Sequence, residues 1–159
     1  MRNAVKSMIR ELERDGRFLQ ERRYMQHGSV TVYEHSIHVA DKSLSLSRWL
    51  GWRIDEESLI RGALLHDYFL YDWHEKDGGH RLHGFSHPFR ALANARRDYA
   101  LNMVEEDIIQ KHMFPLTVLP PMHEESWIVC MTDKYCAVTE MLYPWYCRIR
   151  GRQFQGYGA

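Results

Sequence analysis

Cysteine is scarce in this chain: Cys130, Cys136 and Cys147 are the three thiols in 159 residues, and none stands in a C-x-x-C spacing. That excludes a disulfide framework and a thiolate zinc knuckle, and leaves reduced thiols as the expectation. Net charge is missing as well. Lys plus Arg and Asp plus Glu both number 21, so no overall field draws the chain to nucleic acid or to an anionic membrane. No apolar run reaches the roughly 20 residues that cross a bilayer. The charged stretch around Arg10, Glu11, Glu13, Arg14 and Asp15 holds no apolar segment of a secretory signal. A cytoplasmic, membrane-free protein is expected. Sustained alternation of apolar and polar residues is also absent, so nothing demands a sheet.

Histidine, by contrast, is abundant. Ten are present, most of them between His27 and His123. With thiols few, such a chain points to nitrogen and oxygen ligands if it holds a metal. The length and an apolar fraction of 45% suit one globular domain with a single core. Its expected parts are an N-terminal helix and connector over 1–30, a metal-binding core over 31–143 and a basic tail over 144–159.

The periodicity predicts an all-α fold. Val5, Met8, Ile9 and Leu12 mark a helix from about 3 to 15, closed by Gly16. Residues 17–29 read as irregular. A long, largely buried helix, including Trp49, is expected from about 31 to 50, with Gly51 at its C-terminus. It places His35, His38, Val39 and Lys42 on one face. Asp55 caps the next helix, with Glu56 and Glu57 favoured by the dipole in its first turn, and that helix ends on His66-Asp67. Residues 71–85 break all periodicity and contain Asp77-Gly78-Gly79 turn chemistry, which makes them a candidate lid. Ser86 is expected to cap a helix with Pro88 in its first turn, running to about Leu101. A short helix opened by Glu105, Glu106 and Asp107 carries His112. A last helix, from about Glu124 to Leu142, carries Asp133 and is stopped by Pro144.

A His-Asp dipeptide is weak evidence alone. His66-Asp67 gains weight from Glu34-His35-Ser36 upstream and from Ser86-His87-Pro88, Lys111-His112 and Thr132-Asp133 downstream. One residue from each segment meeting around a pair of metal ions is the working reading. His38 competes with His35 three residues on, and His83 competes with His87 four residues earlier.

Glu34-His35-Ser36-x-x-Val39-Ala40, then Ala63-Leu64-Leu65-His66-Asp67, then a helical Asp133, resembles the HD superfamily of metal-dependent phosphohydrolases. His87-Pro88 and His112 resemble the subset that binds two metals. The resemblance implies a compact helical bundle of about six helices. It implies a first metal held by His35, His66, Asp67 and Asp133, and a second held by His87 and His112 with Asp67 as the bridge. Two divalent ions among Mn, Fe, Ni and Zn suit those donors. The implied activity is hydrolysis of a nucleotide or other small phosphate ester by a metal-activated hydroxide. Asp67 and His38 are then the catalytic candidates, and Lys42, Lys134 and Arg90 the substrate-binding ones. After Asp67 the chain reads Tyr68-Phe69-Leu70, without the Gly-Lys of cyclic-di-GMP phosphodiesterases, which speaks against that substrate. A di-iron oxygenase that cleaves C–C or C–P bonds uses the same ligands, and a non-catalytic metal- or ligand-sensing domain is the third reading.

Overall fold

Thr31 starts the helix on which the molecule is built. Its hydroxyl accepts from the amide of Glu34, and the Glu34 carboxylate accepts from the amide of Thr31. This reciprocal capping box fixes the entry of α2, Val32–Leu50. Gly51 ends it in the left-handed region at φ 68°, where the absence of Cβ removes the steric penalty. The structure is a computed structural model that describes residues 2–27, 29–72 and 83–149.

Before α2 come α1, Asn3–Asp15, a 3-10 helix over Phe18–Arg23, and the antiparallel strands β1, Met25–His27, and β2, Val30–Thr31. The segment expected to be irregular is therefore largely ordered. Phe18 and Glu21 are buried on the 3-10 turn, and β1 returns along β2 directly into the α2 cap. Asp55 accepts from the amides of Glu57 and Ser58 and opens α3, Glu56–Leu65. After it come α4, His83–Asp98, α5, Met103–Lys111, and α6, Glu124–Ile149. The all-α bundle is as expected, with a small hairpin added.

Several boundaries differ from the sequence expectation. α4 begins three residues before Ser86, so Pro88 lies inside the helix and not in its first turn. Asn102, not the acidic run after it, caps α5 through a second capping box with Glu105. α6 continues past Pro144, because one missing N–H removes a single rung from a ladder that is continued on both sides. Trp49 faces outward, 81% exposed. The proposed lid falls mostly on residues 73–82, and the end of the basic tail on 150–159; both stretches lie outside the described residues, as do His74 and His80.

α3 is the central layer. Leu59, Ala63, Leu64 and Leu65 are wholly buried, and the helix packs on α2, α5 and α6. α1 closes the core with Val5, Met8, Ile9 and Leu12, the residues at helical spacing in the sequence. Gly16 is required by a close approach. The Tyr99 hydroxyl donates to the carbonyl of Leu12 at 2.9 Å, and a Cβ on Gly16 would lie 2.3 Å from the Tyr99 ring. Gly16→Ala is therefore expected to displace Tyr99 and cost about 1–3 kcal/mol. Thermal denaturation followed by circular dichroism should show the midpoint fall by roughly 3–10 °C.

Candidate metal centre

The end of α3 delivers the central pair. Its apolar face is buried throughout, so the residues that follow its last turn, His66 and Asp67, emerge inside the protein; His66 is 0% and Asp67 2% exposed. Asn94 on α4 holds this turn by donating to the carbonyls of Tyr68 and Phe69 at 3.1 and 3.0 Å. Around the pair, α2 brings His35, α4 His87, α5 His112 at its C-cap, and α6 Asp133, all buried.

The donor atoms form two clusters, His35 with His66 and Asp133, and Asp67 with His87 and His112. Asp67 faces both. Its Oδ2 is 3.3 Å from His66 Nε2 and 3.9 Å from His35 Nε2. Its Oδ1 is 3.2 Å from His87 Nε2 and 3.6 Å from His112 Nε2.

Hydrogen bonds at the opposite ring nitrogens orient these imidazoles. A backbone carbonyl can only accept, so His66 donates its Nδ1–H to Ala63 at 2.7 Å and His112 donates its own to Ile109 at 2.9 Å. In its neutral form each ring carries its lone pair on Nε2, toward the cluster. His35 Nδ1 is held by Glu140 Oε2 at 2.9 Å, while its Nε2 lies 3.1 Å from Asp133 Oδ1. The other Glu140 oxygen accepts from His38 Nδ1 at 2.9 Å. Glu140 was not singled out in the sequence. Its signal was position: two turns after Asp133 on one helix face.

Each cluster offers donors that could hold a metal ion. His66 Nε2 and Asp67 Oδ1 are buried and have no hydrogen-bond partner among the described residues. Orphaned polar atoms of this kind are costly unless something outside the side-chain set satisfies them. The His87 and His112 Nε2 atoms face each other at 2.8 Å, two nitrogens turned to one point. The electrostatics agree. Burial pushes the His35 imidazolium down, but Asp133 and Glu140 outweigh it and raise it to about 9. Burial likewise opposes charge on His66, yet Asp67 and Asp133 raise it well above the ordinary value. Both carboxylates are held well below the usual range: burial is outweighed for Asp67 chiefly by His66, and for Asp133 by His35 and His66. Burial, with His66 and His87 beside it, lowers His112 to about 3. The first cluster thus attracts positive charge, and the second presents a neutral imidazole, both suited to a cation.

Two further polar residues adjoin the clusters without a signal in the sequence. Gln26 on β1 donates to Asp67 Oδ2 at 2.5 Å. Glu21 is wholly buried, neither carboxylate oxygen is hydrogen-bonded among the described residues, and burial raises its pKa well above the usual carboxylate range. Both belong to the segment that reads as irregular in the sequence.

The substrate-binding candidates are placed differently from one another. Lys134 donates to the carbonyls of His112 and Cys130 at 2.8 and 3.1 Å, so its ammonium ties α6 to the end of α5. Lys42 lines a groove with Leu46, Trp49, Met131 and Tyr135 that includes none of the six clustered residues. Arg90, one turn beyond His87, lies 4.9 Å over the ring of Tyr71. His83 begins α4, but its side chain lies outside the described residues; His87 is the histidine of α4 that joins the cluster.

The family model of the HD domain matches residues 32–138, which span all six clustered residues. No curated protein and no solved structure matches the chain.

Proposed function

This chain belongs to the HD domain family, and on that premise we propose that it is a metal-dependent phosphohydrolase acting on a nucleotide or another small phosphate ester. The observation that carries the reading is Asp67, whose oxygens turn to different clusters of buried donors. His35, His66 and Asp133 would hold one divalent ion and His87 and His112 the other, with Asp67 shared. Mn, Fe, Ni and Zn all suit imidazole and carboxylate ligands. Bound there, such ions supply Lewis acidity toward a phosphoryl group and lower the pKa of water enough for attack near neutral pH.

The chain's own residues supply orientation and protons. Glu140 holds His35 and His38 by their Nδ1 atoms, fixing both rings. His38 is 22% exposed at its side chain, so it can reach a substrate as well as the interior. It is assigned the proton for the leaving oxygen. Arg90 is the cation assigned to the phosphate, since the Lys134 ammonium is already engaged by two carbonyls.

The test is phosphate release by metal-loaded protein offered phosphomonoesters, cyclic nucleotides and dinucleotides. Turnover is expected with at least one class and should vanish in the His66→Ala variant. No turnover on any class, or undiminished turnover by the variant, would overturn the proposal. So would two irons per chain with oxygen-dependent loss of substrate and no phosphate released.

A further inference from the structure

The metal clusters account for the inward side of α6 only as far as Glu140, the last buried residue on that helix among those described. The helix continues to Ile149, roughly 13 Å farther at 1.5 Å per residue. From Tyr135 to Tyr146 its exposed positions carry no charged side chain, and the exposed Lys134 flanks this stretch one turn after Met131. Met131, Tyr135, Val138, Leu142 and Trp145 are 45, 57, 54, 55 and 62% exposed. A helix with such a face needs a cover, and a continuous apolar patch of this kind marks an interaction surface.

Spacing and shape identify the cover. The five residues follow one another at intervals of four, three, four and three, the 3.5-residue repeat of a two-helix seam. The pattern is also nearly symmetric about Val138, so the same stripe running antiparallel matches it. A twofold axis beside Val138 sets Tyr135 near the partner's Leu142 and Met131 near the partner's Trp145. At that register lies the groove between α2 and α6, of about 440 Å³, walled by Lys42, Leu46, Trp49, Met131 and Tyr135. It is an apolar socket for an indole, with Lys42 placed to meet the ring face. Tyr135, Trp145 and Trp49 each offer on the order of 100 Å² for burial. With Met131, Val138 and Leu142 the total over both copies passes the roughly 1,000 Å² that a specific interface needs.

We propose that α6 is the interface of a homodimer, an antiparallel pair of these helices about a twofold axis at Val138, with Trp145 of each copy seated in the α2–α6 groove of the other. The interface stands apart from the six clustered residues, so dimerisation and metal content can be read separately.

Sedimentation velocity on the full-length, metal-loaded protein tests this. A dimer is expected, with Leu142→Glu shifting it to monomer and Trp145→Ala weakening it at least about tenfold, while metal content stays at the wild-type level. In a Cys147→Ser background, Val138→Cys should form a disulfide-linked dimer on oxidation, since the two copies of that residue meet at the axis. A wild-type monomer at about 100 μM would overturn the proposal; that is also the result expected if residues 150–159 cover the stripe. A dimer indifferent to both Leu142→Glu and Trp145→Ala, or one that resists the Val138→Cys cross-link, would place the interface elsewhere and equally overturn it.

Discussion

Asp67→Ala should strip the protein of both metal ions and abolish turnover, whereas His87→Ala or His112→Ala should chiefly cost the second ion. The asymmetry follows from the two oxygens of one carboxylate. Oδ2 lies 3.3 Å from His66 Nε2 and Oδ1 lies 3.2 Å from His87 Nε2, so neither cluster keeps its full donor set without Asp67. Metal chemistry of this kind contributes several kcal/mol to the transition state; at 1.36 kcal/mol per decade that is a rate loss of at least about 10³-fold. Elemental analysis of dialysed protein reads the ions and phosphate release reads the rate. Asp67→Asn is the companion variant, retaining size and one oxygen, and circular dichroism checks that both variants fold. Retention of both ions by Asp67→Ala would show that the assignment of a shared carboxylate is wrong.

Glu140→Ala is expected to be the most damaging change away from the clustered donors. Glu140 is 1% exposed, and its two oxygens hold His35 and His38 at 2.9 Å each. Removing one member of a buried charged pair costs about 3–5 kcal/mol, and losing the group that orients a metal-binding histidine lowers metal affinity about 10–100-fold. Glu140→Gln, which keeps an acceptor oxygen, should recover part of both. The pH dependence has a defined sign. Burial raises Glu140, but His35 and His38 outweigh it and bring it to about 2, from 4.5. Its stabilising contribution is present above pH 4.5 and lost as pH falls toward 2. His35 moves the other way, from 6.5 to about 9, so its contribution is full below 6.5 and lost as pH rises through 9. In the metal-free protein this pair is therefore most stabilising between 4.5 and 6.5. Metal must displace the His35 proton, so metal affinity should climb as pH is raised toward 9. Thermal midpoints across pH, with and without metal, would show the two opposite trends. A metal affinity flat from pH 6.5 to 9 would refute the protonated His35.

Where local chemistry acts alone, the structure follows the sequence closely. Gly51 ends α2 in the left-handed region, and Asp55 caps α3 through two amides, because both effects need only a few neighbouring residues. His35, His66, Asp67, His87, His112 and Asp133 could be singled out because their residue types and flanking apolar runs are visible in a linear chain. Gln26 and Glu21 could not, and Glu140 is marked only by its position two turns after Asp133. A carboxylate on a helix reads as solvated until another helix covers it, and nothing near Glu140 in the chain announces His35, 105 residues away. Lys134 shows the converse. Its charge reads as available to a phosphate, but the end of α5 supplies the His112 carbonyl that takes it up.

The sequence by itself determined the helices, their caps and the ligand-type residues, since periodicity, capping and donor chemistry are local properties. Only the tertiary structure decided which donors share a cluster, which oxygen of Asp67 each cluster receives, and which face of α6 is exposed among the described residues. Those depend on how six helices pack, and packing is fixed by contacts between residues far apart in the chain.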